Sequence, residues 1–112
     1  MRDGINLSIT GDIAHLTLNR PKQRNALDLK AAEQLASAIN NINENEKILA
    51  VVLSGANGMF CSGADLAEMS KKGAVYSPWA GVDGPLAKPC SKPVIAAVEG
   101  YAVAGGLGLA LW

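Results

Sequence analysis

Two short apolar runs limit the folds open to this chain more than any other feature. Residues 48–53 (Ile48, Leu49, Ala50, Val51, Val52, Leu53) and 94–98 (Val94, Ile95, Ala96, Ala97, Val98) are continuous and rich in β-branched side chains. Such runs are too short for ordinary helices and suit strands covered on both faces, as in a parallel sheet. Parallel neighbours need a crossover rather than a tight turn, so a helix or long loop must lie between consecutive strands. Upstream, residues 5–9 and 13–18 flank Gly11-Asp12, and Ala14, Leu16 and Leu18 alternate with His15 and Thr17, the pattern of a β-hairpin. Ala32, Leu35, Ile39 and Ile42 then recur at helical spacing behind a cap at Asn25 or Asp28, which predicts a helix ending near Asn43. Hairpin, helix, strand, loop, strand, helix is an α/β order with a right-handed crossover.

Between the two runs, glycine, proline, serine and lysine interrupt the chain too often for one long element. Residues 65–70 suit a short helix, and residues 71–85 read as a mobile surface loop. Residues 93–112 are almost wholly apolar and about as long as a bilayer-crossing helix. Glu99, the glycines at 100, 105, 106 and 108, and the β-branched Val94, Ile95 and Val98 favour a strand, a turn and a helix instead. The helix that starts at Gly105 meets no stop signal. Residues 1–112 are therefore expected to be the N-terminal portion of a single core domain, truncated at the C-terminus.

With 112 residues, 49% of them hydrophobic and 18% charged, the composition is that of one soluble globular domain with a modest core. Ten basic and ten acidic residues cancel, so no long-range field gathers nucleic acid or an anionic membrane, and neither is expected as a partner. Cys61 and Cys90 form no Cys-x-x-Cys pair and have only His15 as a companion, which argues against a disulfide scaffold and a metal site. The first residues carry neither an apolar signal stretch nor an Arg/Ser-rich amphipathic one, so a cytoplasmic location is expected.

Chemistry is suggested by two glycine-containing turns, each where a strand-derived loop passes into a helix: residues 61–66 (Cys61, Ser62, Gly63, Ala64, Asp65, Leu66) and residues 100–106, which hold Gly100, Tyr101, Gly105 and Gly106. Helix starts leave backbone N–H groups free, with partial positive charge that favours an anion. If the fold brings the turns together, two donors can grip one oxygen, the arrangement needed to form an enolate or tetrahedral oxyanion from a thioester. Gly105 and Gly106 would let a substrate approach the backbone closely.

Three blocks in sequence order carry a resemblance: Asn19-Arg20-Pro21-Lys22-Gln23-Arg24-Asn25-Ala26-Leu27, Phe60-Cys61-Ser62-Gly63-Ala64-Asp65-Leu66, and residues 92–106 from Lys92-Pro93-Val94 to Ala104-Gly105-Gly106. Together they resemble the enoyl-CoA hydratase/isomerase (crotonase) family. The resemblance implies the N-terminal portion of a crotonase-like α/β superhelix of ββα units, with the backbone N–H groups of Ala64 and Gly105 as the oxyanion hole for an acyl-CoA thioester. It places Arg24, Ala26, Ser62, Asp65 and Leu66 near the CoA moiety, largely through main-chain contacts; Tyr101 is, apart from the resemblance, a candidate to line the acyl pocket. The resemblance further implies an enzyme without a prosthetic group, whose substrate is a coenzyme A thioester and whose intact chain assembles as a homotrimer or dimer of trimers.

One position departs from the pattern. In the hydratases of this family a catalytic glutamate sits three residues after the oxyanion glycine, and here that position is Gly108; a second family glutamate lies beyond Trp112. Hydration employs both acids whereas isomerisation can use the later one, so the resemblance leaves the reaction open. A catalytically silent binding or assembly protein of the same fold is the alternative.

Other readings of the same side chains are plain. Arg24 suits a solvated loop charge, Asp65 a helix cap with its main chain towards ligand, and Ser62 a turn. His15 reads as exposed or packing, Cys61 as a buried inert thiol, and Tyr101 equally as strand-end core. Gly58 and Gly63 have P-loop separation, but Ala64-Asp65 stand where Lys and Ser/Thr would bind phosphate and magnesium. Phe60 occupies the first glycine of a Gly-x-Ser-x-Gly elbow, which disfavours a serine hydrolase. The strand followed by Gly55 and Gly58 lacks a dinucleotide-binding glycine pattern.

Overall fold

The computed structural model of the chain describes residues 4–65, 90–103, 106, 109 and 110. Strands β1 (Gly4–Thr10) and β2 (Ile13–Asn19) form the expected hairpin, antiparallel with Thr10 opposite Ile13. The helix α1 (Leu29–Glu44) follows, then β3 (Ala50–Gly55) and β4 (Val94–Ala97). The four strands lie in one sheet in the order β1-β2-β3-β4, with β2–β3 and β3–β4 parallel.

Helix α1 starts where Asp28 accepts a hydrogen bond from the Ala31 N–H at 2.8 Å, one of the donors a helix start leaves without a carbonyl partner. Of the two candidate caps, Asp28 serves, and Asn25 is used elsewhere. The helix buries Ala31, Ala32, Leu35, Ile39 and Ile42, a stripe at 3.6-residue spacing. All of these but Ala32 cluster with Ala14, Leu16 and Leu18 of β2 and Val51 and Leu53 of β3, and Leu27, Ile48, Phe60, Cys61 and Leu109 complete the core. Ala14, Leu16, Val51, Leu53, Val94 and Ala96 share that sheet face because paired residues of adjacent strands project together.

Two expectations are corrected. The first apolar run was expected to pair from Ile48, yet β3 begins at Ala50: the Ile48 N–H donates to Asn45 and the Leu49 N–H to Asp12, so both close the approach from α1. Nor is β4 covered on both faces by the described residues. Val94 and Ala96 pack on the core, while Ile95, on the opposite face, is 63% exposed. The predicted loop at 71–85 and all of a short helix at 65–70 beyond Asp65 lie outside the described residues.

Val94–Ala97 is a parallel strand, so the apolar stretch 93–112 is no single continuous helix. Among the described residues no helix is long and apolar enough to cross a membrane. Gly106, Leu109 and Ala110 are helical, in keeping with the helix expected there.

Candidate functional site

Beyond the sheet, three non-strand segments converge: residues 20–28 after β2, 56–65 after β3, and 99–103 after β4. The first is closed on itself. The Gln23 and Asn25 N–H groups both donate to the Arg20 carbonyl, and Arg24 donates to Pro21. Arg24 and Asn25 consecutively adopt left-handed backbone, at φ 53° and 57°. Asparagine tolerates this region, whereas for arginine it costs about 1 kcal/mol. The Arg24 side chain stands exposed.

Asn25 is fully buried and binds in two directions. Its Oδ1 accepts from the Arg20 N–H at 2.8 Å, and its Nδ2 donates to the carbonyls of Ala56, at 3.0 Å, and Met59, at 2.5 Å. One amide side chain thereby fastens the first segment to the second. Arg20, also buried, adds a charged fastening: its guanidinium donates to the Ala26 carbonyl at 2.5 Å and to Asp65 Oδ2 at 3.1 Å, with Asp28 Oδ2 at 3.4 Å.

The main chain adds a short parallel ladder. Leu27 donates to the Gly63 carbonyl at 2.7 Å and accepts from the Asp65 N–H at 2.8 Å. Those bonds use the groups flanking Ala64, so the Ala64 N–H is turned away from Leu27, and among the described residues it has no hydrogen-bond partner. Gly63 makes the turn into this ladder at φ 101°, a conformation that L side chains rarely adopt.

The second and third segments meet through Cys61. Its N–H donates to Tyr101 at 3.0 Å and its carbonyl accepts from Val103 at 3.2 Å, while Phe60 donates to Glu99 at 2.8 Å. Gly106 lies against the Cys61 carbonyl so closely that an added Cβ would overlap it. The two glycine-containing segments are therefore in contact through Cys61. At Gly106 the lack of a side chain lets two backbones meet.

A cleft of about 340 Å³ opens between the first two segments, lined by Lys22, Gln23, Arg24, Ala26, Ser62, Ala64 and Asp65. Five candidate residues, Arg24, Ala26, Ser62, Ala64 and Asp65, thus share one cleft. The Ser62 hydroxyl donates to the Gln23 carbonyl at 3.3 Å, a link across the cleft that fits its reading as a turn residue. Asp65 directs its carboxylate to Arg20, and the helix it was expected to cap lies, beyond Asp65, outside the described residues. Tyr101 is 62% exposed, so it is not strand-end core. Gly105, Leu66 and Gly108 lie outside the described residues.

Cys61 is buried, and burial pushes its thiol above the ordinary value of 9.0, partly opposed by the Gly63 N–H pointing at its sulfur. That agrees with an inert thiol. Among the described residues no cluster of three or more His, Cys, Asp or Glu could hold a metal ion. The residue that sequence reasoning passed over is Arg20. It lay inside the first block, and its signal is only the pairing, across 45 positions, with Asp65.

In this α/β chain the glycine turns pack beside a cleft, and among the described residues the Ala64 N–H at that cleft has no partner. A family profile described as enoyl-CoA hydratase/isomerase matches residues 8–112. A short-chain-enoyl-CoA hydratase of Clostridium acetobutylicum is 36% identical over 106 residues, covering 90% of this chain and 41% of that protein. A peroxisomal Delta(3,5)-Delta(2,4)-dienoyl-CoA isomerase of Arabidopsis thaliana is 30% identical over 115 residues, covering 87% of this chain and 41% of that protein. The crystal structure of enoyl-CoA hydratase EchA1 from Mycobacterium marinum superposes with a TM-score of 0.87 at 34% identity, over 98% of this chain and 43% of that one. The chain belongs to the enoyl-CoA hydratase/isomerase family and has the crotonase fold. It spans about two fifths of the length of the relatives it matches.

Proposed function

We propose that the full chain binds an acyl-CoA thioester and stabilises the enolate formed from it, with the N–H groups of Ala64 and Gly105 as donors to the thioester oxygen. The observation that carries this reading is the Ala64 N–H. Its neighbours are bonded to Leu27, it has no partner among the described residues, and it stands beside a cleft. A donor fixed before substrate arrives needs no reorganisation when charge develops on the oxygen, so it stabilises the transition state more than the ground state.

In this reading Arg24 meets a CoA phosphate, Ala26, Ser62, Asp65 and Leu66 line the CoA path largely through main chain, and Tyr101 stands at the acyl end. The proton moves through a carboxylate supplied outside these 112 residues, because Gly108 stands where the hydratases carry their first glutamate. The substrate itself is the coenzyme A thioester, with no prosthetic group. The chain acts as the N-terminal part of one core domain, in a cytoplasmic homotrimer or dimer of trimers. Gly108 also favours a second reading, a binding or assembly protein that keeps the fold and the CoA cleft without turnover.

The test is Ala64→Pro in the full chain, which removes an N–H that the ladder does not use. Turnover is expected to fall by roughly a hundredfold or more, about 3 kcal/mol, with CoA affinity retained. Full turnover by a folded Ala64→Pro protein ends the oxyanion reading. Calorimetric binding of an acyl-CoA by a wild-type chain without turnover favours the silent alternative.

A further inference from the structure

We infer that Arg20 is a positioning residue for the Ala64 amide, an inference that rests on the oxyanion reading of Ala64. Its guanidinium spans two walls of one site. On one side it donates to the Ala26 carbonyl and lies 3.4 Å from Asp28, and on the other it meets Asp65, the residue next to Ala64. The origin of the side chain is fixed as well, since the Arg20 N–H donates to the buried Asn25. Ala64 thus has a triple hold: two main-chain bonds from Leu27 to its neighbours and one charged bond from Arg20 to Asp65.

Arginine suits the task for a geometric reason. The guanidinium is a rigid planar fork whose separate N–H groups serve two acceptors at once, while an ammonium on a flexible stem is a single point of charge. Arg20 and Asp65 are each only 8% exposed, so water screens their attraction little. Exchanging Arg20 for lysine keeps the charge but removes the fork, so the Ala26 and Asp65 walls are no longer tied at fixed separation. Ala64 then shifts relative to the CoA cleft. Displacement of a transition-state donor by about 1 Å costs up to roughly a hundredfold in rate. Because that donor acts on charge that develops during reaction, kcat falls more than binding does.

The experiment compares the full wild-type chain with Arg20→Lys and Asp65→Asn, using as probe a cinnamoyl-CoA that carries an electron-donating para-amino group. Hydrogen bonds to its thioester oxygen draw electron density from the ring and shift its absorbance to the red, so the spectrum reports the donors themselves. The wild-type protein is expected to shift the probe, and Arg20→Lys to lose about half of that shift or more while binding free CoA within about twofold of wild type. A smaller loss is expected from Asp65→Asn, which keeps volume and one acceptor oxygen. If circular dichroism shows Arg20→Lys unfolded, the probe shift of Asp65→Asn carries the test. A folded variant with an undiminished shift overturns the inference and leaves the oxyanion reading standing, even if its thermal stability falls. A wild-type protein that binds the probe without any shift overturns both.

Discussion

The sheet with its helix and the three-segment junction beside it are built on different physical terms. Between β2, β3 and α1 the buried groups are Ala14, Leu16, Leu35, Ile39, Val51 and their neighbours, and cohesion comes from apolar area withdrawn from water. At the junction the buried side chains include Arg20, Asn25 and Asp65, and each is placed by directional bonds to a specific carbonyl, amide or carboxylate. Apolar packing tolerates exchange at constant volume, whereas a buried polar network loses disproportionately when one member goes, since its partners stay desolvated. The tolerant region forms the platform, and the intolerant one forms the site.

The largest expected effect strikes the junction. Asn25→Leu strands the Arg20 N–H and the Ala56 and Met59 carbonyls and puts a less tolerant residue at φ 57°, so a loss of about 4 kcal/mol is expected in denaturant unfolding of the full chain. A loss below about 1 kcal/mol would erase the contrast between the regions, because it would place Asn25 with ordinary surface residues.

In the apolar layer, Leu35→Ala is expected to cost about 3 kcal/mol, and Leu35→Met less than about 1.5 kcal/mol, by the same measurement. Leu35 is fully buried, so the difference between the two variants reads volume rather than polarity. Equal losses would mean that this layer, too, depends on one shape.

Arg24→Gly is expected to act in the opposite direction, adding about 1 kcal/mol of stability by relieving left-handed backbone at φ 53°. The same change should weaken CoA binding by calorimetry, since Arg24 is proposed to meet a phosphate. A variant more stable and no weaker in binding would remove Arg24 from the CoA path and leave its backbone strain without a use.

The smallest effect is a pH dependence. Burial holds the folded Cys61 thiol above its unfolded value of 9.0, so the folded state binds its proton more tightly than the unfolded one. Its stabilising contribution is fully present below pH 9.0 and is lost as pH rises above that value, up to the raised folded pKa. Cys61→Ala should flatten the alkaline fall of the unfolding midpoint, and a thiol reagent at pH 8 should modify the half-buried Cys90 first. An unchanged alkaline limb would assign that fall to other groups.

The elements differ in how much of them could be read in advance. The stripe Ala32, Leu35, Ile39 and Ile42 announced α1, and the alternation of Ala14, Leu16 and Leu18 announced β2, because local periodicity and burial coincide there. Two details of the strands escaped. The start of β3 at Ala50 depends on the Leu49 N–H reaching Asp12, and the open face of β4 at Ile95 depends on what stands opposite it. The resemblance through the three blocks named five residues that share the cleft, while Arg20 passed unremarked.

By itself the sequence determined the secondary elements, the α/β class and the family, since periodicity, turn chemistry and motif order are properties of neighbours along the chain. Only the tertiary structure decided that Arg20 would meet Asp65, that Asn25 would reach Met59, and that Gly106 would lie against Cys61. Those contacts join positions 34 to 45 residues apart, where nothing local constrains a side chain's partner. They form because folding withdraws these groups from water and leaves each buried polar atom only the neighbours that the packed backbone provides.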